Sequence, residues 1–110
     1  MPYLINGQSQ SIEEPVERGG RHYVPLAPVV ETLGGTVTWD NTAKTASATI
    51  GQWTAKVQEG NNNVDVNGQQ VSLNDTPYLE NSTLYVPWDF FHWAFGYTAN
   101  MNGDTLDIHL

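Results

Sequence analysis

The chain has 110 residues and a mass of 12.2 kDa, which favours one domain and excludes a two-domain enzyme. Twelve acidic residues against four basic ones give a formal net charge of -8, so the clustered Lys and Arg that nucleic acids and anionic membranes require are absent. The sequence has no cysteine and no apolar run of about 18 residues, which excludes disulfides and membrane insertion by a helix. Asn and Thr are frequent and Lys is rare, a composition that we interpret as that of an extracellular or cell-surface protein of bacteria.

The chain matches itself at an offset of about sixty residues, which is the signature of an internal repeat. Ile5-Asn6-Gly7-Gln8 aligns with Val66-Asn67-Gly68-Gln69, and Tyr23-Val24-Pro25-Leu26 aligns with Tyr85-Val86-Pro87-Trp88. The offset drifts only in polar loops, where insertions are tolerated. We predict a single domain over residues 1–110, with repeat one at about 3–50, a linking strand at about 52–58 and repeat two at about 64–110.

Each repeat is predicted to open with a β-hairpin. Asn6-Gly7 and Asn67-Gly68 lie between short extended runs, and Asn-Gly accepts the positive φ that both central positions of a type I′ turn require. After a polar loop, a strand runs to Pro25 in the first repeat and to Pro87 in the second. Proline ends each strand because it has no N–H for a ladder, and it suits the first turn of a helix.

A short helix and a closing hairpin are predicted to complete each repeat. The first helix has about nine residues, with Leu26, Val29, Val30 and Leu33 on one apolar stripe, and ends at Gly34-Gly35. The closing hairpin turns at Asp40-Asn41 in the first repeat and at Asn102-Gly103 in the second. The residues assigned to its buried face are Val37, Trp39, Ala46, Ala48 and Ile50 in repeat one, and Leu106, Ile108 and Leu110 in repeat two.

The predicted fold class is therefore α+β. Two pseudo-symmetric repeats of β-hairpin, strand, short helix and β-hairpin would wrap antiparallel strands around two short helices. Between the repeats, Trp53, Ala55 and Val57 alternate with polar residues, which indicates the linking strand.

The order of these elements carries a family resemblance. An Asn-Gly hairpin, Tyr-Val-Pro-Leu at 23–26, a helix ending in Leu-Gly-Gly at 33–35 and Val-Thr-Trp-Asp at 37–40 resemble the copper amine oxidase N-terminal-like domain, also called the stalk domain. The resemblance implies a non-catalytic spacer, stalk or adhesion module of bacterial surface proteins, without copper or another cofactor. Where the family has Arg directly after Val-Pro-Leu and Glu four residues later, the first repeat has Ala27 and Glu31, and the second repeat has Asp89 and Trp93. The ion pair built on that Arg is therefore missing in both repeats.

The second helix is apolar on two faces. Alignment with the first helix assigns Trp88, Phe91, His92 and Phe95 to the core, while Phe90, Trp93, Ala94 and Tyr97 form a second row. This helix could be the centre of a small core, surrounded by strands. The alternative is an exposed patch that docks a protein partner, a second copy or a sugar chain, because Trp and Tyr are enriched at interface hot spots. The candidate residues of this interaction patch are Phe90, Trp93, Tyr97 and Trp53.

Motifs for catalysis and metal binding are weak. His22, His92 and His109 are far apart in sequence and match no zinc motif, and the serines lack a nucleophile elbow, so we predict no catalytic residue and no metal ligand. Residues 63–68 fit the first six positions of a helix-loop-helix calcium loop, but its twelfth position is Asn74 instead of Glu. The flanks alternate like strands, so a hairpin explains the segment better than calcium binding does.

From these patterns we predict a non-catalytic extracellular or cell-surface structural module that acts through protein–protein contacts, including self-assembly. The alternative is a carbohydrate-binding module, in which Trp53, Trp88, Trp93 or Tyr97 stacks on a polysaccharide. Neither interpretation involves nucleic acid or membrane insertion.

Overall fold

The computed structural model describes residues 3–9, 16–80, 82–102 and 105–109. Gly103 of the predicted closing turn and Leu110 of the predicted buried face lie outside the described residues. Within the described part, thirteen short strands form three sheets. The sheets and two short helices pack around one hydrophobic core. In chain order these elements are β1 (Tyr3–Ile5), β2 (Gln8–Ser9), β3 (Val16–Arg18), β4 (Arg21–Pro25), α1 (Leu26–Thr32), β5 (Thr36–Asp40), β6 (Thr45–Ile50), β7 (Trp53–Gln58), β8 (Asn63–Val66), β9 (Gln69–Ser72), β10 (Tyr78–Glu80), β11 (Thr83–Pro87), α2 (Phe90–Phe95), β12 (Thr98–Asn102) and β13 (Thr105–His109).

Two of the three sheets join strands from both halves of the chain, and the third consists of consecutive strands. The first sheet has the order β12-β13-β1-β2, and its parallel pair, β1 with β13, brings the first described strand beside the last. The second sheet has the order β10-β11-β4-β3, and the third has the order β5-β6-β7-β8-β9. All other pairs are antiparallel. Mostly antiparallel sheets with two short helices agree with the predicted α+β class.

Both predicted Asn-Gly hairpins are confirmed. Asn6 and Gly7 have φ of 51° and 82°, and they join β1 to β2. Asn67 and Gly68 have φ of 49° and 89°, and they join β8 to β9. These positive φ values are those of a type I′ turn, whose twist matches the twist of the flanking strands.

The first helix follows its predicted pattern but is shorter, with seven residues. Leu26, Val29 and Val30 are buried, and the left-handed φ of 91° at Gly34 ends the helix. The strand predicted at about 52–58 is present as β7, where Ala55 and Val57 are fully buried.

Two features differ from the sequence-based expectation. The single strands predicted before the helices are the second halves of hairpins, because β3 pairs with β4 and β10 pairs with β11. Trp39, assigned to the buried face, is 38% exposed. It lies near the turn end of β5, an edge strand, and its indole Nε1 donates a hydrogen bond to Oδ1 of Asn41 at 2.7 Å. The alternation of apolar and polar residues that buries Ala46 and Ala48 therefore continues along β5 to Trp39, where the core covers the hairpin only in part.

The second sheet has the two Tyr-Val-Pro segments at its centre. In the antiparallel pair of β4 and β11, Val24 lies opposite Val86, Tyr23 opposite Pro87, and Pro25 opposite Tyr85. Both valines are fully buried. The segments that align in the sequence are thus each other's partners in the sheet.

Replacing Asn67 is expected to destabilise the domain. Its side chain accepts a hydrogen bond from the N–H of Thr54 at 2.8 Å and donates one to the carbonyl of Gln52 at 3.0 Å, which ties the β8–β9 turn to the start of β7. We expect Asn67→Ala to lower the free energy of unfolding by about 2–3 kcal/mol, because it loses both bonds and keeps a left-handed φ. Asn67→Gly is expected to cost less, since glycine accepts that φ. Urea unfolding of both variants checks this order, and an Asn67→Ala variant as stable as the parent would contradict it.

Replacing Gly35 is expected to disturb the contact between α1 and the hairpin that follows it. A Cβ at this position would lie 2.3 Å from the carbonyl oxygen of Thr49, 2.7 Å from Cγ1 of Ile50 and 2.9 Å from Cγ1 of Val30. We expect Gly35→Ala to cost about 3 kcal/mol, because a backbone atom cannot move aside easily. The control is Gly34→Ala, whose Cβ meets nothing within 4 Å and suffers only from its φ, at about 1 kcal/mol. If thermal unfolding ranks the two variants in the opposite order, the atoms around Gly35 can shift to accommodate a Cβ, which would contradict this prediction.

Candidate functional site

Exposed tryptophans mark the candidate sites on the surface. Among the described residues, the large apolar side chains that are exposed are Trp39 at 38%, Trp53 at 52% and Trp93 at 47%. They lie on β5, β7 and α2. Tryptophan is enriched at binding hot spots, so the surroundings of each exposed tryptophan are candidate contact sites.

The structure places the four predicted patch residues in two different environments. Trp93 and Trp53 are exposed as expected, but Phe90 is fully buried and Tyr97 is 7% exposed. Burial raises the pKa of the Tyr97 hydroxyl above its ordinary value. The prediction of one exposed patch is therefore wrong for Phe90 and Tyr97, which belong to the core.

The reason is the position at which the second helix begins. Whereas α1 starts directly after Pro25, α2 starts at Phe90, after a turn that follows Pro87. The buried positions of α1 therefore do not predict which residues of α2 are buried. Phe90, Phe91 and Ala94 are buried. His92, which the alignment assigned to the core, is exposed, and its Nδ1 lies 2.9 Å from the carbonyl oxygen of Tyr97.

An apolar groove of about 610 Å³ lies between the start of α1, the β5–β6 hairpin and the β10–β11 hairpin. We call it the Trp39 groove. Its walls include the apolar side chains of Leu26, Pro28, Val37, Trp39 and Leu79. The charged residue among its lining is Lys44. The groove is therefore suited to apolar side chains from a partner, and Trp39 is its most exposed anchor.

A second, more polar cleft contains Trp88, Asp89 and Trp93. One part, of about 490 Å³, is lined by Arg21, His22, Asp75, Trp88 and Asp89 among others. The other part, of about 280 Å³, is lined by Trp88, Asp89, His92, Trp93, Thr98 and Ala99. Because Trp88 and Asp89 line both parts, we treat the two as one site, the Trp88–Trp93 cleft.

Side chains in this cleft hold one another in place. The indole Nε1 of Trp93 donates a hydrogen bond to Oδ2 of Asp89 at 3.1 Å. The ring of His92 meets the ring of Trp93 edge to face, with centroids 4.8 Å apart. Arg21 forms an ion pair with Asp75 at the far end of the cleft. Trp53, on β7, is not among the residues that line this cleft.

A cluster of three tyrosines was missed by the sequence analysis. The ring centroid of Tyr78 lies 4.8 Å from that of Tyr23 and 5.1 Å from that of Tyr85. The guanidinium carbon Cζ of Arg18 lies 4.1 Å from the Tyr78 centroid. Burial is the main cause that raises the pKa of Tyr23 and Tyr78. The alignment of Tyr23 with Tyr85 was the available signal, since the strands that carry these two residues pair with each other. This cluster fixes the edge of the second sheet.

The segment that resembled a calcium loop is a hairpin. Residues 63–66 form β8, and Oδ1 of Asn63 accepts a hydrogen bond from the hydroxyl of Ser72 across the hairpin. Among the described residues, no group of three or more His, Cys, Asp or Glu side chains could hold a metal ion. Over the same residues, neither helix is long and apolar enough to cross a membrane.

The comparison with known families agrees with the resemblance noted in the sequence. The sequence model of the copper amine oxidase N-terminal domain matches residues 4–110. That domain is a non-catalytic part of the amine oxidases. No curated protein sequence matches the chain. Since the match extends over nearly the whole chain, the chain belongs to the copper amine oxidase N-terminal domain family.

Proposed function

We propose that this domain is a structural module of an extracellular or cell-surface protein, and that it acts through contacts with other proteins, including copies of itself. The observation that carries the proposal is the Trp39 groove. An exposed indole and apolar walls lie beside an edge strand, on a domain whose family is non-catalytic. Such a combination is typical of a protein contact site.

The proposal includes an internal duplication, in which two repeats related by a pseudo-twofold axis share one core. The reciprocal pairing of Tyr23 with Pro87 and of Pro25 with Tyr85 supports an axis at the Val24–Val86 pair. The sheets support it as well. In the first sheet β13 and β1 pair directly and in parallel. In the third sheet β6 and β8 are parallel to each other and lie on either side of β7, which is antiparallel to both. The linking strand β7 would then be the one element that departs from the symmetry.

This arrangement suits a spacer. Every sheet contains strands from both proposed repeats, so neither repeat could separate without breaking three sheets. The domain measures 35 × 31 × 22 Å along its principal axes. A unit in which both halves share the core resists local opening better than two units joined by a linker. Tandem units of this kind would hold other domains at a fixed distance from a surface.

The contact is proposed to involve β5 together with the Trp39 groove. Strand β5 pairs with β6 on one side and is the last strand of its sheet on the other. An edge strand offers backbone N–H and C=O groups to a strand from a partner. Side chains of an added strand would enter the groove beside Trp39. A second copy that presents its own β5 would make a symmetric contact of this kind.

Self-association is expected to depend on Trp39. We expect the mass from light scattering to rise with protein concentration in the parent and in a Trp53→Glu control, and to stay at 12.2 kDa in Trp39→Glu. Trp39→Glu would bury an unpaired carboxylate at the contact, which lowers the affinity. Trp53 lies on β7, outside the proposed contact, so its replacement leaves the contact intact. A parent that remains monomeric at its highest soluble concentration, or equal loss in both variants, would contradict the proposed contact.

Self-association is also expected to strengthen as salt is added. Each copy carries a formal net charge of -8, so two copies repel one another over distances that salt shortens. We expect the dimer dissociation constant from sedimentation equilibrium to fall several-fold between about 20 mM and about 500 mM NaCl. A weaker dimer at high salt would instead indicate that an ion pair, such as one made by Lys44, dominates the contact.

A further inference from the structure

The Trp88–Trp93 cleft has the features of a ligand site, and we infer that it binds sugar units of a neutral polysaccharide. This site shares no lining residue with the Trp39 groove, so the inference goes beyond the protein contacts proposed above. The two parts of the cleft, of about 490 and 280 Å³, meet at Trp88 and Asp89. The larger part falls within the size range of small-ligand sites, about 300–1,000 Å³, and the smaller part lies just below that range.

Trp93 provides a stacking surface whose orientation is already fixed. Its side chain is 47% exposed, yet its Nε1 is hydrogen-bonded to Asp89 and its ring contacts His92. His92 is itself held by the carbonyl of Tyr97. A ligand that stacks on this indole therefore loses little side-chain entropy, which is the usual cost of using an exposed aromatic residue. The flat, apolar C–H face of a pyranose is suited to such a surface.

Polar groups around the indole match the hydroxyl groups of a sugar. Since a carbonyl only accepts, the Nδ1 of His92 carries the proton of this hydrogen bond, and in the neutral imidazole Nε2 is then an acceptor. Asp89 accepts the hydrogen bond from Trp93 at Oδ2, and among the described residues no side chain donates a hydrogen bond to its Oδ1. The hydroxyl of Thr98 can donate or accept. Acceptors beside an apolar platform select a ligand that has hydroxyl donors at its edge and C–H groups on its face.

Charge excludes anionic polysaccharides from this cleft. Arg21, the cation in its lining, is paired with Asp75, which leaves Asp89 without a neighbouring basic partner there. The whole chain adds a formal net charge of -8. Uronate or sulfate groups would be repelled from such a site, so the occupant is neutral.

The corresponding place in the first half of the chain shows what is specific to the cleft. At an offset of 62 positions, Leu26 aligns with Trp88, Ala27 with Asp89, and Val37 with Ala99. The first member of each pair lines the Trp39 groove and the second lines the Trp88–Trp93 cleft. Where the first half has small or aliphatic side chains at the helix start, the second has an indole and a carboxylate. Core packing alone does not call for this change, because Asp89 is not buried.

The test is affinity electrophoresis and calorimetry with five neutral probes, the soluble hexasaccharides of β-1,4-glucose, α-1,4-glucose, β-1,3-glucose, β-1,4-xylose and β-1,4-N-acetylglucosamine. At least one is expected to bind the parent domain. Trp93→Ala is expected to weaken that binding about tenfold, which corresponds to about 1.4 kcal/mol. Trp53→Ala, the matched loss of an equally exposed indole elsewhere, is expected to leave the dissociation constant within about twofold of the parent.

A second variant keeps the test valid if Trp93→Ala unfolds. Asp89→Asn preserves the shape of the side chain but replaces a carboxylate oxygen by an amide, and it is expected to weaken binding severalfold with unchanged circular dichroism. Trp39→Glu is expected to keep full sugar affinity, which separates failure here from failure of the proposed protein contact. No binding of any of the five probes, or equal losses in the Trp93 and Trp53 variants, would overturn the inference.

Discussion

The pairing of β4 with β11 is the constraint on which the rest of the structure depends. Val24 and Val86 lie opposite each other at its centre and are fully buried. Each strand ends at a proline, and a helix follows. Because the two strands are antiparallel, these helices begin at opposite ends of the pair and cover different parts of one core. A register shift of one residue would turn both valines to the other face of the sheet, so burial fixes the register.

The same pairing determines where the two surface clefts lie. In an antiparallel pair the start of one strand is beside the end of the other. The turn before β11 therefore lies beside the start of α1, where Ser82 and Thr83 join the walls of the Trp39 groove. Likewise the turn before β4 lies beside the turn that precedes α2, where Gly20 and Arg21 meet Asp89. The positions of both clefts thus follow from how the central strands pair, whereas their side chains and the turn before α2 make the two clefts different.

Much of this fold could be predicted from local sequence signals. Asn-Gly turns, strands that end at proline and the apolar stripe of α1 depend on neighbours in the chain, and the structure contains them. Burial at the candidate site depended on longer-range geometry. The two-residue turn before α2 changes which of its faces meets the core, so Phe90 and Tyr97 are buried and His92 is not. Likewise, alternation along β5 could not show that the core ends before Trp39. Periodicity identifies an apolar face, but tertiary packing decides how far along an element that face is covered.

The exposed tryptophans differ in how firmly they are held, and this difference favours two of them as binding surfaces. The indole Nε1 of Trp39 is bonded to Asn41, and that of Trp93 is bonded to Asp89. Among the described residues, Trp53 makes no such bond, although it is the most exposed of the three. An indole held by a hydrogen bond has already lost part of its conformational entropy on folding. A ligand that binds to it therefore loses less free energy to side-chain ordering over the same contact area. The neighbours then decide what each surface accepts. In the two proposals, the aliphatic walls around Trp39 accept protein side chains, whereas the carboxylate and imidazole beside Trp93 contact the hydroxyl groups of a sugar.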